Sequence, residues 1–92
     1  MAYGIIHEFA GGTADQYAAS VAAAHPADGS LPPGQTFHAA GPSADGWIVV
    51  VIYDSKENWE SFRDGTLMPA MQAGIEGGFT APPSERTFEV HG

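Results

Sequence analysis

The sequence contains no cysteine, which excludes disulfide bonds, a thiol nucleophile and thiolate metal sites. Basic residues are almost as scarce, with three Lys and Arg against 11 Asp and Glu and a formal net charge of −8. The three cations, Lys56, Arg63 and Arg86, are scattered along the chain and cannot neutralise a phosphate backbone. We therefore expect no nucleic-acid partner, and the same shortage argues against binding to an anionic membrane surface.

Long apolar segments and metal-binding patterns are also missing. No apolar run approaches the roughly 20 residues of a membrane span, and the N-terminus lacks the basic and apolar regions of a signal peptide. The four histidines show neither His-x-His nor His-x-x-x-His spacing, whereas a metal site needs at least three converging ligands. These absences predict a cytoplasmic protein with no membrane association, no metal ion and no cofactor.

A run of seven apolar residues, from Trp47 to Tyr53, is the most prominent pattern that is present. A β-strand points alternate side chains to opposite faces, and a strand with one wet face alternates apolar and polar residues. This strand is therefore predicted to be covered on both faces. The two alternating sets are Trp47, Val49, Val51 and Tyr53 on one face and Ile48, Val50 and Ile52 on the other.

Periodicity and helix signals predict the order β-α-β-β-α-β over one domain, residues 1–92. Thr13 and Gln16 form a capping box that begins the first helix, and His25-Pro26 ends it. The second helix is capped by Asp54 or Ser55 and interrupted near Pro69, which has no amide hydrogen to donate. The predicted ranges are 3–10, 13–25, 35–40, 47–53, 55–67 with a short turn to 74, and 85–91.

This order is the ferredoxin-like α+β arrangement, a four-stranded antiparallel sheet with both helices on one face. The helices cover one side of the 47–53 strand, so the other side would leave a large apolar patch, and such patches mark interaction sites. We expect a second copy of the chain to cover it, giving a homodimer that packs sheet against sheet. The sequence leaves open which of the two alternating sets meets the partner.

The block from Trp47 to Phe62, followed by Leu67-Met68-Pro69-Ala70-Met71, resembles the dimeric α+β barrel superfamily, and within it the antibiotic-biosynthesis-monooxygenase-like proteins. In these proteins a hydrophobic strand leads into a helix that opens with a Ser/Asp-x-Glu-x-Trp/Leu-x-x-Phe pattern. The resemblance extends over nearly the whole chain and implies a barrel of two subunits. It also implies a ligand pocket in each subunit, between the sheet and the helices.

Members of this superfamily include cofactor-free monooxygenases, haem-degrading enzymes, polyketide cyclases and isomerases, so the fold does not fix the activity. In two places this sequence departs from the patterns of particular branches, which narrows the set of possible activities. Haem-degrading members use a histidine on the second helix, and residues 55–74 contain none. The cyclase branch uses a His-Pro-x-His turn, and here that stretch reads Met68-Pro69-Ala70-Met71.

His7 is the best catalytic candidate, because an imidazole in an apolar cleft can act as a general base near neutral pH. The structural alternative is a buried or interfacial histidine with one backbone partner. Trp59 and Phe62 are expected mainly as the core face of the second helix, and a structural role is also favoured for His38. The residues predicted to line a pocket for a flat aromatic ligand are Tyr17, His38, Trp47, Tyr53, Trp59, Phe62, Met68 and Met71.

These features favour a protein that binds a hydrophobic, aromatic or polyketide-like molecule. In the first hypothesis it is an oxidoreductase, a monooxygenase that works without metal or flavin: His7 deprotonates an activated phenol, and the resulting carbanion reacts with oxygen. Two alternatives remain open, a non-catalytic ligand-binding or accessory dimer and a cyclase or isomerase of the same fold. A cavity near His7 would favour the enzyme hypotheses, whereas a cleft fully closed by side chains would exclude them.

Overall fold

The computed structural model describes residues 1–25 and 28–91. Within these ranges, four strands and three short helices follow one another in the predicted order, with a π-helical turn between the second and third helices. The elements are β1 (Tyr3–Ala10), α1 (Ala14–Ala24), β2 (Gln35–Ser43), β3 (Gly46–Tyr53), α2 (Lys56–Phe62), the π-helical turn (Arg63–Leu67), α3 (Met68–Ala73) and β4 (Ser84–Glu89).

The predicted first strand and first helix are confirmed. Thr13 caps α1 through both bonds of the capping box: its hydroxyl accepts from the Gln16 amide, and the Gln16 side chain accepts from the Thr13 amide. The reciprocal bonds satisfy two amides that a helix start otherwise leaves free. His25 ends the helix in extended backbone and donates its amide to the Val21 carbonyl. Pro26, the second half of the predicted stop, lies outside the described residues.

Strands β2 and β3 form the predicted hairpin, but β2 is three residues longer than the sequence indicates, ending at Ser43. The connection is thereby reduced to Ala44 and Asp45. Gly46 is required at the start of β3, because a Cβ there would lie 2.1 Å from the Phe9 carbonyl oxygen. A register shift between Gln35 and Phe37 bulges the start of β2, which places Gln35 opposite Tyr53.

The second helical region continues through Pro69 instead of stopping before it. A π-helical turn accommodates the proline: the Met68 amide bonds the Arg63 carbonyl, one residue further back than in an α-helix. The predicted interruption is confirmed in position, and its form is a widened turn that avoids the clash with the preceding carbonyls. Gly74 ends α3 with a positive φ of 86°.

The sheet has the order β2-β3-β1-β4, and its described pairs are antiparallel. The register shows which of the two alternating sets faces the helices. Val51 pairs with Ile5, and both pack against Trp59 of α2, so this set faces the helices. The buried core is formed by Ile5, Val51, Tyr53 and Trp59, with Tyr3, Val49, Phe62 and Leu67 packed around it.

The opposite face of the sheet, which we call the outer face, is mostly apolar. Phe37 and Phe88 are 48% and 42% exposed there, and the branched residues between them are only partly buried. The Phe88 ring lies directly over Gly4, where an added Cβ would meet it at 2.2 Å. The apolar residues of the outer face are Ile6, Phe37, Ala39, Ile48, Val50, Ile52 and Phe88, and the register places Glu8 and Arg86 on the same face.

Candidate functional site

A cavity of about 610 Å³ lies between the helix-covered face of the sheet and the helices. Strands β1, β2 and β3 supply its floor, and helices α1, α2 and α3 with the loop before β4 supply its walls. We call this cavity the cleft. Its apolar lining comprises Ile5, Phe9, Val21, Ala24, Val49, Val51, Trp59, Phe62, Leu67, Met71, Ile75 and Phe79.

The cleft has an unusual charge pattern for a protein with a net charge of −8. Among the described residues that line it there is no Asp, Glu, Lys or Arg. The groups in its lining that exchange protons are two tyrosines and three of the four histidines: Tyr17, Tyr53, His7, His25 and His38. A proton that enters or leaves a ligand in this cleft therefore meets imidazole or phenol groups first.

His7 lines the cleft and is paired with Glu85, which lies beside the lining. The two residues are cross-strand neighbours on β1 and β4, and Nε2 of His7 lies 2.7 Å from Oε1 of Glu85. Since a carboxylate only accepts, Nε2 carries the hydrogen, and the neutral ring has its lone pair on Nδ1. Phe9 and Trp59 pack edge-on against the imidazole, so the ring is held by aromatic contacts as well as by the carboxylate.

A second polar group lies across β3 from His7. Nε2 of His38 bonds the Tyr17 hydroxyl, and Nδ1 of His38 lies 2.9 Å from Oε1 of Gln35. The Gln35 amide nitrogen donates to the Tyr53 hydroxyl at 3.0 Å. These bonds form one chain from α1 to β3. Burial raises the pKa of Tyr53 to about 12, partly offset by the bond from Gln35.

Burial also affects the titration of the other members of this group. It raises the pKa of Tyr17 and lowers the pKa of His38, which the neighbouring His25 lowers further. The rings of His25 and His38 meet edge to face with their centroids 5.1 Å apart, and burial lowers the pKa of His25 as well. Desolvation penalises the charged forms, so these three side chains favour their neutral forms.

Aromatic rings close two sides of the cleft. On the α2 side the rings of Trp59 and Phe62 pack against Tyr53, with centroids 5.7 and 6.0 Å from it. On the β4 side Phe79 stacks on Phe9 with the centroids 3.6 Å apart and the planes 8° apart. Flat apolar surfaces of this kind suit a flat aromatic ligand.

The structure brings most of the predicted site residues together in the cleft lining and leaves two outside. Trp47 is not part of the lining: its ring packs 5.3 Å from the ring of Tyr17, and its buried Nε1 has no hydrogen-bond partner among the described residues. Met68 is 42% exposed on the outside of α3. The predicted residues that line the cleft are His7, Tyr17, His38, Tyr53, Trp59, Phe62 and Met71.

Six polar residues in or beside the cleft are absent from the sequence-based set: Gln16, Ser20, His25, Gln35 and Thr80 in its lining, and Glu85 beside it. His25 follows the last residue of α1 in extended backbone, so helical spacing from Tyr17 does not assign it to the cleft. No local sequence pattern assigns Gln35 to the cleft, because only the bulge in β2 places it on the same face as His38. Predicting the contact of Glu85 with His7 requires the β1–β4 register, which makes the two residues cross-strand neighbours.

Within residues 1–25 and 28–91, no group of three His, Cys, Asp or Glu side chains is arranged to hold a metal ion. The same part of the chain contains no helix long and apolar enough to cross a membrane.

Comparison with solved structures defines the class of fold. The chain is similar to a candidate antibiotic biosynthesis monooxygenase from Chloroflexus aurantiacus, with 16% identity, a TM-score of 0.66, and coverage of 100% of this chain and 95% of that one. No protein-family model matches the chain, and no curated protein sequence matches it significantly. The fold is that of the antibiotic-biosynthesis-monooxygenase-like proteins, which confirms the resemblance at the level of the fold.

Two further structures share this fold. Rv0793 from Mycobacterium tuberculosis is 18% identical with a TM-score of 0.69, covering 100% of this chain and 97% of that one. The monooxygenase from the gene ActVA-Orf6 of Streptomyces coelicolor, solved in complex with nanaomycin D, is 16% identical with a TM-score of 0.60, covering 99% and 88%.

Proposed function

We propose that the protein binds a flat, hydrophobic phenol in the cleft and oxygenates it without metal or flavin. The observation that carries this proposal is the cleft itself: about 610 Å³, walled by aromatic and aliphatic side chains, with three histidines in its lining. The structural neighbour from S. coelicolor is a monooxygenase and holds nanaomycin D, which supports a ligand of comparable character here.

In this proposal His7 is the general base. Its Nδ1 lone pair accepts the phenolic proton, and the carboxylate of Glu85 at Nε2 stabilises the imidazolium that forms. Glu85 also fixes the ring tautomer, as the orienting carboxylate does in other acid–base groups. Glu85 is therefore a positioning residue, which acts on the ligand only through His7.

Deprotonation makes the next step possible without a cofactor. The phenolate delocalises its electron pair onto a ring carbon, and that carbon transfers electrons to dioxygen and forms a C–O bond. Cleavage of the O–O bond then leaves one oxygen atom on the ring carbon as a carbonyl, while the other leaves as water with the two displaced hydrogens. The substrate supplies all the electrons, so the products are a quinone and water.

The test is oxygen uptake with a panel of flat phenols, namely 1-naphthol, 7-hydroxycoumarin and hydroxylated naphthoquinones. Once a substrate is identified, we expect His7→Gln to lower kcat roughly 100-fold or more, because general-base catalysis usually contributes about that much. Glu85→Gln should lower kcat less and shift the pH profile, because an amide cannot stabilise the imidazolium. His91→Gln is the matched control, since His91 is exposed and outside the cleft lining. Unchanged turnover in His7→Gln would refute this role.

The same panel separates the alternatives. A phenol that binds in the cleft without oxygen uptake or chemical change indicates a ligand-binding protein. A ligand that is rearranged without consuming oxygen indicates a cyclase or isomerase. The residues that we propose as the ligand-binding surface are the seven predicted residues that line the cleft, together with His25 and Gln35.

We also propose that two copies of the chain associate through the outer face. Six large apolar side chains project from it, including Phe37 and Phe88, which are nearly half exposed in the single chain. A contiguous apolar patch of this kind is uncommon on a monomeric protein and marks an interaction surface. A second copy offers the same apolar strand surface, with the charges of Glu8 and Arg86 beside it, so sheet-to-sheet packing would cover both patches at once.

A further inference from the structure

The hydrogen-bond chain across β3 from His7 has a defined direction. The Gln35 amide nitrogen is bound to the Tyr53 hydroxyl, so its carbonyl oxygen faces His38. A carbonyl oxygen only accepts, which places the hydrogen of the neutral His38 ring on Nδ1 and the lone pair on Nε2. The Tyr17 hydroxyl must then donate to Nε2. Its oxygen is left with lone pairs for a donor in the cleft.

Burial makes this chain of hydrogen bonds rigid and keeps its side chains neutral. Gln35 is 9% exposed and Tyr53 is fully buried, so their bond fixes the amide that selects the His38 tautomer. The titratable groups around His38 are Tyr17 and His25 from α1 and Tyr53 from β3. Desolvation disfavours both tyrosinate and imidazolium here. The Tyr17–His38 pair is thus neutral at rest, with the Nε2 lone pair of His38 bound to the Tyr17 hydroxyl.

From this geometry we propose that Tyr17 and His38 are a second proton-accepting group of the cleft. A ligand hydroxyl that donates to the Tyr17 oxygen loses its proton to it, while the Tyr17 proton moves to Nε2 of His38. The ligand becomes an oxyanion, Tyr17 is regenerated and His38 becomes an imidazolium whose Nδ1–H remains on Gln35. Gln35 takes no proton and is a positioning residue. This inference rests on the proposed function, because it requires a ligand in the cleft.

Two acceptors on opposite sides of β3 also narrow the ligand class. His7 pairs with Val49 and His38 pairs with Val51, so the two histidines flank β3 with one strand between them. Two inter-strand spacings and one two-residue step put their Cα atoms roughly 10–12 Å apart. Both side chains point into the same cavity. The fitting ligand is a fused-ring molecule with an oxygen substituent on each of two opposite edges.

The tautomer of His38 is measurable without any ligand, by ¹⁵N NMR of the histidine rings. We expect neutral His38 with its hydrogen on Nδ1 at pH 7. Tyr17→Phe should keep that tautomer, because Gln35 still accepts from Nδ1, whereas Gln35→Leu should lose it. Gln35→Glu should keep the tautomer and raise the His38 pKa. A ring protonated on Nε2 alone in the wild type, or a tautomer unchanged in Gln35→Leu, would overturn the inference.

Proton transfer is then followed with 7-hydroxycoumarin, whose neutral and anionic forms absorb at different wavelengths. We expect the apparent pKa of the bound probe to be lower in the wild type than in Tyr17→Phe by about one unit, because the acceptor chain favours the ionised form. A probe that ionises equally in both proteins, but less in His7→Gln, overturns this inference and leaves the proposed function intact. A probe that does not bind the wild type counts against both.

Discussion

Val50→Asp is the sharpest test of the proposed homodimer, because Val50 lies at the centre of the outer face. It is flanked by Ile6 on β1 and Ala39 on β2 and is only partly buried in the single chain. Full burial of a valine side chain is worth roughly 1.5–3 kcal/mol. Burying the part of the Val50 side chain that is still exposed in the single chain therefore contributes about 1 kcal/mol per subunit to dimer formation. In a symmetric dimer the substitution is present once in each subunit, so its cost counts twice. Burying an unpaired Asp carboxylate costs several further kcal/mol per ion. We therefore expect a loss of at least about 4 kcal/mol, or roughly a thousand-fold in the dimer Kd.

Sedimentation equilibrium or light scattering gives the readout. We expect the wild type at twice the 9.6 kDa chain mass and Val50→Asp at the mass of one chain. Near-ultraviolet circular dichroism from Trp47 and Trp59 should be retained, which separates dissociation from unfolding. Ala18→Asp adds the same charge at an exposed position of α1 and should stay dimeric. A wild type that is monomeric at high concentration, or a Val50→Asp dimer as tight as wild type, would refute the reasoning.

Two further predictions concern stability. Burial lowers the pKa values of His25 and His38 below 6.5, so the unfolded chain binds more protons as the pH falls through 6.5, and the free energy of unfolding should decrease between about pH 7 and pH 5. Urea denaturation measured across this pH range should show a smaller decrease in the free energy of unfolding for His38→Gln and the wild-type decrease for His91→Gln. A wild-type free energy of unfolding that does not change with pH would contradict the burial of these rings. Thr13→Ala removes the acceptor of the capping box on α1 and should cost about 1 kcal/mol, with Thr13→Ser close to wild type as the control; an equal loss in both variants would point away from the hydroxyl.

The sequence predicted the fold well because its local signals agree with one another. The capping box at Thr13, the strand-ending Gly11-Gly12 and the apolar run after Gly46 each predict one element, and each element forms where its signal lies. The boundaries that differ depend on tertiary context. β2 extends to Ser43 because β3 supplies pairing partners as far as Gly46, which no pattern in 41–43 indicates.

The candidate site was only partly predictable for a related reason. Side chains on regular strands, such as His7 and Tyr53, follow the two-residue alternation and could be assigned to one face. Gln35 reaches that face through a bulge, and Glu85 reaches His7 through the β1–β4 register. Neither contact is local in sequence. Met68 lies outside the cleft lining and follows directly on the π-helical turn, a geometry that the presence of Pro69 alone does not specify.

The central claim is that the cleft, and not the outer face, receives the ligand. Chemical-shift mapping of the ¹⁵N-labelled protein with nanaomycin D and with 7-hydroxycoumarin tests it directly. We expect the largest shifts at His7, Val51 and the indole of Trp59, with saturation lost or weakened in Trp59→Ala. Shifts centred on Phe37 and Ile48 of the outer face, or no shifts with either compound, would contradict the claim.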